Sequence, residues 1–127
     1  MTSFVFKIPS ELVISSNRKS DIWRRKKLKD YCAQTIPYLI RGLPKKGRAT
    51  VWVGVTKRTR GRYDPTNLSD TLKPVVDELV KGGVLEDDDH AHVLGPWLFH
   101  RSVDPKLRGV VGFTVYLTDY RDDFVPF

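Results

Sequence analysis

Leu72, Val75, Val76, Leu79 and Val80 recur at the i, i+3, i+4, i+7 and i+8 spacing of a helix with one apolar stripe, and Gly82-Gly83 follows directly. Such a helix has to bury its stripe against another element, and the paired glycines end it because they accept the backbone angles a helix terminus needs. Pro74 lacks an amide hydrogen and is tolerated near a helix start, so the spacing predicts regular helix from about Asp70 or Thr71. Asp70, Lys73 and Asp77 then share its polar side.

The flanking segments supply what the stripe packs against. Residues 4–8 alternate apolar with polar and stop at Pro9, and residues 48–57 carry Val51, Val53 and Val55 on one side of a strand with Trp52 on the other. Residues 93–103 and 109–117 read as two more strands joined through Asp104-Pro105. Between the first two strands, apolar residues at helical spacing run from Ser20 through Ile40, where Pro37 should kink or divide the helix and Gly42 and Pro44 stop it. Residues 57–62 read as a basic loop, and residues 120–127 carry no readable pattern. This order, in 127 residues without repeat or linker, predicts one α+β domain over residues 1–127, a small mixed β-sheet covered by helices.

Charge divides the chain. Before residue 64 there are sixteen Lys or Arg against three acids, and from residue 64 onward six against twelve. A polyanion accounts for the first half, because cationic side chains draw in phosphates and release condensed counterions. The lone cysteine, Cys32, excludes an internal disulfide and a multi-cysteine zinc site, and is expected to be a small buried residue. No stretch approaches the roughly 18 apolar residues of a membrane helix, and the first residues lack a basic leader with an apolar run. A cytoplasmic protein with no membrane partner is expected.

Acids clustered in a phosphate-seeking chain need a reason, and holding cations between protein and phosphate is one. D-P-T-N-L at 64–68, the helix bearing Asp70, Lys73 and Asp77, and L-E-D-D-D-H at 85–90 supply carboxylates, an amide and an ammonium group. Hydrolysing a phosphodiester requires neutralised nonbridging oxygens, a hydroxide at neutral pH and a stabilised leaving alkoxide, which carboxylate-held divalent cations provide. Magnesium prefers these oxygen ligands and needs only one or two carboxylates per ion. The bland alternative makes Asp64-Pro65 a turn starter, Asp70 a helix cap and residues 87–89 a solvated loop. Asp64 and Asp88 lie beyond opposite ends of a helix about 18 Å long, so they meet only if the flanking segments fold back along it.

From Arg62 to Pro96 the chain resembles the RusA-type Holliday-junction resolvases, particularly the versions in phages of actinobacteria. The likeness lies in R-Y-D-P-T-N-L, in K-P-V-V-D-E-L-V-K-G-G-V-L-E-D-D-D-H, and more weakly in S-S-N-R at 15–18 before a basic segment. It implies a RusA-like fold and a magnesium-dependent endonuclease, with manganese as a substitute ion, that resolves four-way junctions and related branched DNA as a homodimer. By the same likeness Asp64, Asp70, Lys73, Asp87 and Asp88 are catalytic, and Asp64, Asn67, Asp70, Asp87 and Asp88 hold metal. Thr66 stands where the family has its second metal-binding aspartate, so either Asp70 or Asn67 takes over that role. The same departure keeps a second reading open, a branched-DNA-binding protein that does not cut.

Asn17, Arg18, Lys19, Arg24, Arg25, Lys26, Lys27 and Lys29, with Lys57, Arg58, Arg60 and Arg62 beside the acids, are the expected DNA contacts. Lys73 either stabilises charge on a phosphate or pairs with Asp77. Trp23 either stacks on an exposed base or belongs to the core. His90 and His92 near the acids raise a zinc alternative without a recognised ligand spacing, and His90 a general acid. Trp97, Leu98 and Phe99 in succession cannot all face one core, which makes them candidates for the dimer interface.

Overall fold

The computed structural model describes residues 2–17, 19 and 21–121. Strands β1 (Thr2–Pro9), β2 (Ala49–Lys57), β3 (Val93–Val103) and β4 (Val110–Thr118) form one sheet in the order β1-β4-β2-β3, with helices α1 (Ile22–Ile40) and α2 (Ser69–Lys81). β4 is antiparallel to β1 and to β2, whereas β2 and β3 are parallel and joined through α2. The sheet is therefore mixed and the fold α+β, as the residue pattern predicts.

Alternation along the strands decides where the core lies. Phe4, Phe6 and Ile8 pair with Val115, Phe113 and Val111, and Val51, Val53 and Val55 continue the same face, all buried. α2 sets Leu72, Val75, Val76 and Leu79 against it, and α1 adds Leu28, Cys32, Ile36 and Ile40. Burial pushes the Cys32 thiol up to about 12, with Glu78 adding to the rise, so this cysteine is packing and not a nucleophile. Leu79 is fully buried, and Leu79→Ala is expected to lower stability by about 2–5 kcal/mol in urea titrations, since the cavity left behind adds to the lost transfer energy.

Two helix boundaries differ from expectation. α1 runs unbroken through Pro37, because the proline falls near its C-terminal end, where buried Ile36 and Ile40 hold the backbone despite one lost hydrogen bond. α2 starts at Ser69, continuing a 3-10 turn over Pro65–Leu68, so Pro74 sits in its second turn and Leu68, not Asp70, is the cap.

The other sheet face carries Trp52, Trp97, Phe99 and Tyr116, with ring centroids 5.0 Å apart for Trp52–Trp97 and 6.3 Å for Phe99–Tyr116. Trp97 and Phe99 are each 40% exposed while Leu98 points to the core, the split expected of three bulky residues in one strand. Gly95 is required where β3 bulges: its φ is +98, and an added Cβ would meet the Val51 carbonyl oxygen at 2.5 Å. No described helix is long and apolar enough to cross a membrane.

Candidate metal and nucleic-acid site

β2 ends at Lys57, and the basic loop after it leads to Asp64, whose carboxylate caps the 3-10 turn. Asp64 Oδ1 accepts from the Thr66 amide at 3.1 Å and from the Thr66 hydroxyl at 2.8 Å. The turn is stitched to the segment after β1: Ser16 N–H donates to the Asn67 carbonyl at 2.8 Å, and the Ser16 hydroxyl donates to Asn67 Oδ1 at 3.0 Å. Buried Thr71 locks the same junction, accepting from the Ile14 amide at 2.9 Å and donating to the Ile14 carbonyl at 2.8 Å. Between these segments opens a cavity of about 360 Å³, with Asn17, Lys57, Arg62, Asp64 and Asn67 among its lining residues.

Tyr63 forms one wall. Its hydroxyl shares a hydrogen bond with His100 Nδ1 at 2.5 Å, and Lys57 Nζ lies 5.0 Å from its ring centroid. Burial pushes the Tyr63 phenol up, so it stays protonated at neutral pH. The arrangement puts a carboxylate and an amide oxygen beside an ammonium and a guanidinium, a set that can hold a hydrated cation and a phosphate side by side. No protein-family model matches this chain, and no curated protein does.

Five of the residues singled out in the sequence, Asn17, Lys57, Arg62, Asp64 and Asn67, come together in this cavity. Thr66 holds Asp64 in place through its amide and its hydroxyl. Asn67, not Asp70, stands next to Asp64. Asp70 and Lys73 line a separate groove between α1 and α2 with Arg25, Lys29 and Asp77, where Asp70 pairs with Arg25 at 3.6 Å. No ion pair joins Lys73 to Asp77 among the described residues. Arg60 lines a neighbouring cavity with Arg62, Tyr63 and His100. Lys19, Arg25, Lys26, Lys27 and Arg58 are exposed, Arg24 is half-buried, and Arg18 lies outside the described residues.

Asp87 and Asp88 do not join Asp64 within the chain. Asp64 follows the last residue of β2, whereas Asp87 and Asp88 precede the first residue of β3, and the parallel pairing of Ala49 with Val93 and Lys57 with Val103 puts these points at opposite ends. Over nine residues of β2 that is roughly 26 Å at about 3.3 Å per residue. The flanking segments do not fold back along α2, because a parallel crossover carries the chain from one end of the sheet to the other.

At that far end Asp87, Asp89 and His92 place one potential ligand atom each within 4.8 Å of the others. His92 belongs to this group of ligand atoms, and His90 does not. Asp89 Oδ1 accepts from the Ala91 amide at 3.0 Å and bonds His92 Nδ1 at 2.6 Å, and these bonds close the turn. The hydrogen bond to Asp89 raises the His92 pKa above its ordinary 6.5, and the same bond lowers Asp89 below its ordinary 3.8. The histidine's contribution to stability is present below pH 6.5 and lost as pH rises through its raised pKa; the aspartate's is present above 3.8 and lost as pH falls through its lowered one. The pair is thus strongest between those limits. In chelator, Asp89→Asn is expected to bring the His92 midpoint in an NMR titration back down toward 6.5. An unchanged midpoint would contradict the hydrogen bond as its cause.

Tyr63 and His100 are the site residues that the sequence does not reveal. They stand on a loop and on β3, and only the packing of that loop against the strand pairs them. The aromatic neighbour of Asp64 in R-Y-D is the one signal that points to either.

Proposed function

We propose that this chain is a divalent-metal-dependent endonuclease that hydrolyses phosphodiesters in branched DNA, four-way junctions among them, and that it works as a homodimer. The observation that carries the reading is Asp64 and Asn67 standing among Asn17, Lys57 and Arg62 in one open cavity. A protein that only binds DNA gains nothing from a carboxylate placed where phosphates must approach.

The donor set fits magnesium in part. Both hydrogen bonds from Thr66 fall on Asp64 Oδ1, and among the described residues Oδ2 takes none and Asn67 Oδ1 accepts only from Ser16. One carboxylate and one amide oxygen suit an ion that keeps most of its water. Bound there, magnesium or manganese neutralises phosphate charge and supplies hydroxide at neutral pH. Lys57 and Arg62 hold the phosphate from the cavity wall, the guanidinium offering paired donors and the ammonium a point charge. Asn17 orients it by hydrogen bonding, and the Tyr63–His100 pair fixes the wall beside Asp64.

Among the described residues the cavity holds one carboxylate, where the acidic residues supply several. A second copy turned end for end by a two-fold axis brings its Asp87–Asp88 turn toward this Asp64, and β3 at the sheet edge, with Trp97 and Phe99 half exposed, is the surface such a copy would use. Two composite sites then face opposed strands of a junction. The single carboxylate also favours one rival, a branch-binding protein that does not cut. A synthetic four-way junction with labelled arms, incubated with magnesium or manganese, separates them. Symmetric incisions abolished by chelator are expected, and a bound junction left intact under both metals would establish the rival.

A further inference from the structure

Tryptophan gains more than most residues from burial, yet Trp23 is 69% exposed and its neighbour Ile22 83% exposed. The core reading of Trp23 is thereby excluded. α1 turns Leu28, Cys32 and Ile36 inward, and at about 100° per residue Trp23 projects from the opposite side. Lys26 and Lys27, three and four residues on, are its neighbours on that outer surface, and both are exposed. A ring flanked by two ammonium groups suits a partner that offers flat π-faces next to a negative backbone. Unstacked bases at a strand branch offer that, and intact duplex does not.

Placement ties this feature to the cavity. Asp21 caps the first turn of α1 by accepting from the Arg24 amide at 2.7 Å. In that turn Arg25 pairs with Asp70 at the start of α2, directly after the 3-10 turn that carries Asn67. Asn17 lines the cavity and is six residues from Trp23, so the two lie no more than about 20 Å apart by chain length. Six base pairs of stacked DNA cover that distance at about 3.4 Å each.

We propose that Trp23 reads the branch: it stacks on an unstacked base while Lys26 and Lys27 hold the neighbouring phosphates, and so sets the preference for branched over continuous duplex DNA. The proposal rests on the DNA-cleaving reading of the Asp64 cavity. Its test compares binding to a four-way junction and to a duplex of equal length in chelator, for wild type, Trp23→Ala, Trp23→Phe and the double variant Lys26→Ala/Lys27→Ala, each checked for folding by circular dichroism. Trp23→Ala is expected to weaken junction binding about tenfold while duplex binding stays within about twofold, with Trp23→Phe keeping most of the affinity. The lysine variant is expected to lose affinity for both substrates alike, since phosphate contacts do not read structure. With 2-aminopurine at the branch point, wild type quenches its fluorescence and Trp23→Ala does not. Equal loss on both substrates, or no loss, with Trp23→Ala would overturn the role of Trp23 while leaving the cavity reading intact. Wild-type protein that binds neither DNA would overturn both.

Discussion

Asp64→Asn is expected to lower magnesium-dependent junction cleavage by on the order of 10²–10³-fold or more, the scale of losing a group that stabilises charge in the transition state. Its reach beyond other carboxylates follows from position. Among the described residues Asp64 is the one acid lining the cavity, and it shares that cavity with Asn67, Lys57 and Arg62. Folding should survive, because an asparagine side-chain oxygen can still accept the two hydrogen bonds from Thr66 that cap the 3-10 turn. Junction affinity should hold or rise slightly, since a charge that repels phosphate is gone. Gel-shift and cleavage assays on one preparation check both halves. Near-normal turnover with intact binding would remove Asp64 from the chemistry. Asp70→Asn is expected to have a smaller effect on cleavage, because Asp70 lies in the groove between the helices and pairs with Arg25.

The second large effect is a rescue. Asp64→Asn and the double variant Asp87→Asn/Asp88→Asn should each be inactive as pure dimers, yet a mixture of the two should regain nicking. If each site combines Asp64 of one copy with the Asp87–Asp88 turn of the other, a mixed dimer holds one site with both members intact and one with both lost. Random mixing in equal amounts makes half the dimers mixed, so about a quarter of the wild-type sites return, all as single nicks and none as paired cuts. If instead the site lay within one chain, no mixed dimer would contain an intact one and the mixture would stay silent. The geometry predicts rescue, because parallel strands β2 and β3 hold the two acidic segments at opposite ends of the sheet.

Local pattern was enough for the elements. The stripe from Leu72 to Val80, the Val51, Val53 and Val55 alternation, and the strands at 93–103 and 109–117 are set by side-chain periodicity, and the observed elements agree within a residue or two. Asp64 and Asn67 stand on one short turn that Pro65 and the Asp64 cap specify locally, yet the sequence leaves Asp70 as an equal alternative to Asn67. Interior burial of Leu98 between exposed Trp97 and Phe99 follows from the same two-residue period.

What periodicity does not contain is the direction in which one element meets another. The parallel pairing of β2 with β3 separates Asp64 from Asp87 and Asp88, though their closeness in sequence invites the opposite conclusion. The fit of Asp70 against Arg25, the tie between Tyr63 and His100, and the outward turn of Trp23 all depend on how α1 and the 58–64 loop settle on the sheet. Sequence by itself determined which residues form helices, strands and turns here, because those follow from repeats of two and of 3.6 residues along the backbone. Only the tertiary structure decided which charged groups share a cavity, because that depends on chain crossings between segments whose contact energies come from distant partners.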